Sequence, residues 1–310
     1  VKTALYTDLS AFGHQTPSGH AEQPSRLEAV LDGLRAPEFS ELLHKTAPKA
    51  SRKDLLRVHS ADYIDQVLNT QIAENAIHAL DADTFLSSGS AEAALRGAGA
   101  VCMAVDDVMS SKTQAAFCAM RPPGHHARPN AAMGFCLFSN IAIAALAALE
   151  KHGLHKVAII DFDVHHGNGT QEALWDVPGS LFISLHQQDH YPGTGRADET
   201  GGLGEVLNLP MPDGTSSCDW MQVFHSEVVS RIRQYQPELI FVSAGFDAHV
   251  DDPLGGFQLL ADDFAVIASV LGDLAHEYAN SRLVSVLEGG YHLPALKSSS
   301  SKFIDALLRC

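Results

Sequence analysis

The sequence has no apolar run long enough to cross a bilayer; the longest, Ile141 to Leu149, is nine residues and rich in alanine. The opening stretch Val-Lys-Thr-Ala-Leu-Tyr-Thr-Asp lacks the apolar core of a signal peptide. Cysteine is sparse: five residues, at positions 102, 118, 136, 218 and 310, odd in number and without CxxC spacing, so a disulfide framework is not expected. Basic residues are outnumbered, 21 Lys+Arg against 37 Asp+Glu, giving 21 − 37 = −16 with 17 His counted neutral. That balance excludes nucleic-acid backbones and anionic membranes as default partners, since both require a basic footprint. A cationic substrate remains compatible. These absences lead us to expect a soluble, cytoplasmic protein.

What is present is the composition of a globular chain: 310 residues, 45% hydrophobic and 19% charged, enough to bury a large core. No internal repeat or Pro/Gly/Ser-rich break divides it, and Ser298–Ser301 is its one low-complexity stretch, so a single domain over residues 1–310 is expected. Apolar runs of strand length alternate with helical stretches, the pattern of an α/β domain whose mostly parallel central sheet is flanked by helices. The strand candidates are Ala4–Thr7, Ala115–Met120, Val157–Phe162, Leu181–Leu185, Leu239–Ser243 and Leu283–Leu287. Most are continuous apolar runs, as strands covered on both faces are. Helices are expected over Ser90–Met109 with Ser90 as N-cap, and over Asn140–Lys151, starting on Asn140 and stopping before Gly153. Two more are expected over Ser217–Tyr235 and Asp262–Tyr278. The first 90 residues, poorer in strands, are expected to layer against the sheet.

Histidine is unusually abundant, and its placement carries the information. His14, His20, His44, His59, His78, His152, His155, His225 and His276 are scattered and read as surface or capping residues. The others gather near His125-His126, His165-His166, His186, His190, His249 and His292. These positions lie at the ends of strand candidates, where parallel α/β sheets collect functional groups. Four such ends carry polar, Gly-rich segments: Arg121-Pro-Pro-Gly-His-His126, Asp161-Phe-Asp-Val-His-His-Gly-Asn-Gly169, Ala244-Gly-Phe-Asp247 and Glu288-Gly-Gly-Tyr291.

Asp161-x-Asp163-x-His165 is the sharpest of these. On a strand of period two its three side chains share one face, and three such groups cannot lie unpaired in an apolar core. A metal ion resolves the conflict. An Asp/His set suits zinc, with Asp247 as the best-placed third ligand and a fourth position left open. The competing reading is a buried, hydrogen-bonded Asp/His network in a tight turn. Adjacent His125 and His126 point different ways in an extended loop. Both suit general base and acid work near neutral pH if that loop wraps the site. Tyr291, after two glycines, is placed to donate a hydrogen bond to a developing oxyanion.

With Gly134-Phe-Cys136, Tyr191-Pro-Gly-Thr-Gly195, Asp252-Pro-Leu-Gly-Gly256 and His20-Ala-Glu-Gln-Pro-Ser-Arg26, these motifs resemble the zinc-dependent histone deacetylase superfamily in order and spacing. The resemblance covers nearly the whole chain. Asn168, where one branch carries Asp, looks like the class II-type enzymes and the bacterial histone deacetylase-like amidohydrolases. The resemblance implies an arginase/deacetylase-like fold and removal of acyl groups from lysine side chains of proteins or peptides, or from acetylated polyamines or another small acylated amine. It implies Zn2+ held by Asp163, His165 and Asp247, with His126 as general base and His125 as its electrostatic or acid partner. Asp161 and Asn168 would orient that pair, and Tyr291 would polarise the carbonyl. Phe135 and Tyr191 would wall an acyl-lysine tunnel, with Gly134, Leu254, Gly289 and Gly290 beside the substrate and Arg26 near an inner cavity for acetate. A structural K+ is implied beside Asp161, Asp163, His165, Ser184 and Leu185. Tyr291 is present where a weakly active sub-branch carries histidine. Leu254 stands where the eukaryotic polyamine deacetylase carries a gatekeeper glutamate, which favours acyl-lysine. A non-catalytic acyl-lysine binding module is the reading from another class, and a homo-oligomer is left open.

Overall fold

Burial on both faces decides which apolar runs become central strands. The computed structural model describes residues 2–310. Its first strands are β1 (Thr3–Thr7) and β2 (Leu43–Thr46), followed by a small antiparallel pair, β3 (Ile77–Ala79) and β4 (Phe85–Ser87). Then come β5 (Ala115–Cys118), β6 (Val157–Asp161), β7 (Ser180–Gln187), β8 (Val206–Met211), β9 (Leu239–Ala244) and β10 (Leu283–Leu287). Eight of them form one sheet in the order β2-β1-β5-β10-β9-β6-β7-β8, every neighbouring pair parallel. All residues of β5, β6, β9 and β10 are buried, so these strands have no polar face to alternate with. The helices Ser25–Gly33 and Ala261–Tyr278 each pack on Leu293–Arg309, and Ser90–Met109 packs on Asn140–His152; the two groups cover the sheet. Phe162, Phe246, Phe264 and Phe303 meet ring to ring beneath it, each burial contributing roughly 1.5–3 kcal/mol. This is the α/β architecture that the runs imply.

Local readings change where side chains compete with the backbone. β5 stops at Cys118 rather than Met120 and β6 at Asp161 rather than Phe162. The segment 161–165 is therefore not a strand face. Its Asp163 N–H donates to Asp161 Oδ1 at 3.1 Å and its His165 N–H to Asp163 Oδ1 at 2.9 Å, two successive Asx turns that curl the chain. Ser90 is the first helical residue rather than the cap; its hydroxyl accepts from Ser87 N–H and meets His14 Nδ1. Asn140 likewise follows the capping position, which Ser139 occupies, while Gly153 ends that helix in the left-handed region at φ 65°.

Residues 217–235 form one helical stretch with a π turn over Phe224–Val229. The edge strands β2 and β8 were not visible as apolar runs, because β2 is mostly exposed and β8 alternates. The first 90 residues thus supply two strands to the sheet as well as helices against it. Ser298–Ser301 lies within the last helix, with Ser299 and Ser300 buried. Two scattered histidines, His14 and His59, are buried rather than superficial, each held by hydrogen bonds. Among the described residues, no helix is long and apolar enough to cross a membrane.

Candidate active site

The carboxyl ends of β5, β10, β9, β6 and β7 are adjacent in the sheet, so the loops leaving them converge. Asp163, His165 and Asp247 each present one ligand atom there, all within 4.8 Å of one another, and all three residues are buried. His165 Nδ1 lies 3.0 Å from Asp163 Oδ1 and 3.2 Å from Asp247 Oδ2. That Asp247 oxygen is buried without a hydrogen-bond partner. Burial, followed by the charge of Asp163, pushes the Asp247 carboxyl up to about 7. Burial opposes charge on His165, yet Asp163 and Asp247 outweigh it and push the imidazole up to about 10. Two buried carboxylates so close need a positive charge between them, and two carboxylates with one imidazole suit zinc. Glycine makes the room: a Cβ on Gly289 would lie 2.0 Å from Asp247 Oδ2, and one on Gly245 2.2 Å from Asp163 Oδ2.

His125 and His126 do not diverge. Their ring centroids are 3.9 Å apart at an interplanar angle of 41°. His125 Nδ1 meets Asp161 Oδ2 at 3.0 Å, and its Nε2 lies 3.8 Å from Asp163 Oδ2. His126 Nδ1 meets Asn168 Oδ1 at 2.8 Å. Burial disfavours charge on both rings. At His125, Asp163 and then Asp161 outweigh burial and hold the imidazole well above the usual histidine range. At His126, burial is reinforced by His125 and His165, which hold it well below. Because Asn168 turns its Nδ2 toward Met133 Sδ, its Oδ1 accepts from His126 Nδ1–H and leaves Nε2 as a free base. The two imidazoles are thus pushed in opposite directions, His125 toward its charged form and His126 toward its neutral one.

Beside these lies a cavity of about 450 Å³ lined by His126, Gly134, Phe135, His165, Tyr191, Leu254 and Tyr291. Phe135 packs edge-on against Tyr291 at 5.7 Å, and Tyr191 edge-on against His126 at 5.2 Å. Gly134 has φ +56°, and a Cβ there would strike His126 Cδ2 at 2.4 Å. Burial holds the Tyr291 phenol well above its ordinary range despite Arg26, so it stays protonated and able to donate. Gly289, Gly290 and Arg26 are not among the residues that line the cavity. Arg26 donates to Gly290 O at 2.6 Å and to Glu288 O at 2.5 Å, with its guanidinium 4.8 Å over the Tyr291 ring. Ser184 is the direct cross-strand partner of Asp161, and Leu185 follows it on β7.

Several functional-site residues carried no assigned role in the sequence reading. Glu288 accepts from Gly124 N–H at 2.7 Å, His125 N–H at 3.1 Å and the Ser243 hydroxyl at 3.1 Å, tying β10 and β9 to the histidine loop. Its carboxyl is pushed up to about 7, chiefly by burial. Glu22 pairs with both Arg26 and Arg121. A glutamate closing the apolar run Leu283–Leu287 was the one sequence signal for Glu288. Asp83 and Asp213 also line the cavity, and no pattern pointed to them.

Residues 20–307 match the histone deacetylase domain. The histone deacetylase-like amidohydrolase of Pseudomonas aeruginosa is 41% identical over 88% of this chain and 73% of its own length. The polyamine deacetylase HDAC10 of Homo sapiens is 37% identical over 94% of this chain and 45% of its own length. Across curated relatives, the chain spans between 20% and 99% of the matched protein. The crystal structure of the HDA15 HD domain superposes with a TM-score of 0.91 at 34% identity, covering 98% of this chain and 90% of that one. With the domain matched over most of its length and the fold shared throughout, the chain belongs to the histone deacetylase family of zinc-dependent amide hydrolases.

Proposed function

We propose that residues 1–310 act as one catalytic domain that removes acyl groups from lysine side chains of peptides or proteins in the cytoplasm. The observation that carries this reading is the close histidine pair, His125 on the Asp161 carboxylate and His126 on the Asn168 amide, beside the Asp163–His165–Asp247 triad. Cleaving an unactivated amide needs an activated water, a polarised carbonyl and a proton for the departing amine. Bound by the triad, zinc supplies Lewis acidity and lowers the pKa of water to about 7.

The chain's own groups supply the rest. His126 takes the proton of the attacking water on Nε2 and returns it to the amine, a contribution of about 10²–10⁴-fold. His125, pushed toward its charged form by Asp163 and Asp161, places positive potential beside the developing negative charge, and Asn168 keeps His126 in the required tautomer. Tyr291 donates its hydroxyl to the oxyanion. Phe135 and Tyr191 flank the aliphatic stem of the substrate, with Gly134 and Leu254 at its entrance. Gly289, Gly290 and Arg26 hold Tyr291 in place. The facing of Asp161 and Ser184 supports a structural K+ bound by Asp161, Asp163, His165, Ser184 and Leu185.

The test is a panel of acylated peptides and amines with zinc content measured on the same sample. Turnover lost in His126→Ala and Tyr291→Phe with zinc retained supports the reading; full activity in both ends it. A second reading, an acylated polyamine as substrate, is favoured by one observation: Asp83 and Asp213 line the cavity and no Lys or Arg does. Faster turnover of N-acetylputrescine than of an acetyl-lysine peptide, with the preference lost in Asp213→Asn, would select it.

A further inference from the structure

We infer that Asp252 is a positioning residue that sets the oxyanion donor Tyr291 and the tunnel wall at Leu254 through one buried carboxylate. The inference rests on the reading of Tyr291 given above. Asp252 is 6% exposed and pairs with no cation among the described residues. Its polar partners are backbone amides instead. Oδ2 accepts from Tyr291 N–H at 2.6 Å and from His292 N–H at 3.1 Å, while Oδ1 accepts from Leu254 N–H at 3.0 Å.

The bond to Leu254 is local, an Asx turn that any loop aspartate can make. The other two are not, since they cross 39 and 40 residues to reach the loop after β10. Nothing in loop closure requires a carboxylate there, and burying one without a counter-charge is costly. What those bonds accomplish is to hold the backbone at the base of the Tyr291 side chain. Gly290, with φ +120°, leaves the chain on the other side of Tyr291 unrestrained by a side chain, and Arg26 holds its carbonyl. The tyrosine is thus gripped on its C=O-facing neighbour by Arg26 and on its own N–H by Asp252. Leu254 and Tyr291 both line the cavity, so one carboxylate couples wall and donor across it.

The conservative probe is Asp252→Asn, which keeps the shape but turns an NH2 group toward amide donors. Displacement of a positioned donor by about 1 Å costs on the order of 100-fold in rate. Trifluoroacetyl-lysine provides the discriminating substrate, because its more electrophilic carbonyl depends less on donation from Tyr291. We expect Asp252→Asn to lower kcat on acetyl-lysine roughly 100-fold and on trifluoroacetyl-lysine by about 10-fold or less. KM on acetyl-lysine and zinc content should stay near those of the parent. Equal losses on both substrates, or none, would overturn the role. Should Asp252→Asn not fold, Asp252→Ser, which keeps one acceptor oxygen, is judged by the same ratio. Tyr291→Phe alone separates the two ideas: if it leaves both substrates unaffected, the reading of Tyr291 fails first. If it shifts the ratio while Asp252→Asn does not, only the role of Asp252 is lost.

Discussion

Asn168 Oδ1 stands 2.8 Å from His126 Nδ1, giving this imidazole an uncharged partner where its neighbour His125 has the carboxylate of Asp161. The contrast allows a base to lie next to a cation in a buried site. It makes the charge at position 168 a control on the proton affinity of His126. Asn168→Asp should raise that affinity, so the acid limb of kcat/KM should move to higher pH by roughly one unit. A pH–rate profile of parent and variant checks this, and an unmoved limb would show that Asn168 does not tune the base.

Gly289 has no room for a side chain: a Cβ would lie 2.0 Å from Asp247 Oδ2 and 2.6 Å from Asp163 Oδ2. Gly289→Ala should therefore spread the triad and lower bound zinc to well under one ion per chain. The far-UV spectrum should be retained, because the atoms nearest the added methyl all belong to the carboxylates of Asp247 and Asp163. Metal analysis beside circular dichroism decides it.

Zinc binding should release protons. Without a cation the His165 imidazole, pushed up to about 10 by Asp163 and Asp247 against burial, carries a proton at pH 8 that a metal must displace. Titrating chelator-treated protein with zinc in buffers of different ionisation enthalpy should report the release of about one proton per ion. Equal heats in all buffers would contradict the assignment of His165 as a ligand.

Three buried neutral histidines should each cost the fold stability in mild acid. Burial depresses His59 and His166 to about 4 and His186 to about 3. His59 shows why: its Nδ1 donates to Arg128 O while Nε2 accepts from Ser139 N–H, so a second proton breaks the latter bond. Below about pH 6.5 the unfolded chain binds protons that the folded one refuses. Stability present above that pH is lost as it falls toward 4, at about 1.4 kcal/mol per unit per histidine. Urea unfolding at pH 8, 6 and 5 should show the slope, and His59→Gln should flatten it by one histidine's share.

The family was legible in the sequence because its motifs fall at strand ends in a fixed order, and order is a linear property. The sheet centre was legible for a related reason: strands buried on both faces must be apolar throughout, as Val157–Ile160 and Leu283–Leu287 are. Edge strands escaped. β2 is largely exposed, and only its pairing with β1 makes it a strand. Asp163 and His165 could be named from Asp161-x-Asp163-x-His165 and Asp247 from another strand end, yet the strand geometry assumed for the first segment does not occur, since Asx turns curl it instead.

By itself, then, the sequence determined the fold class, the order of the motifs and the identity of the groups that gather at one sheet end. Tertiary structure alone decided how some of the few basic residues of this acidic chain are used. Arg26 and Arg121 are buried against Glu22, and Arg26 also donates to Gly290 O at the Tyr291 loop. It also decided which histidine is pushed toward the charged form. His125 and His126 are identical in kind and adjacent in sequence. Asp163 and Asp161 raise the proton affinity of the first, burial with the charges of His125 and His165 lowers that of the second, and their Nδ1 partners are the carboxylate of Asp161 and the amide of Asn168. Those partners lie 36 and 42 residues away along the chain, and electrostatics depends on distance in space.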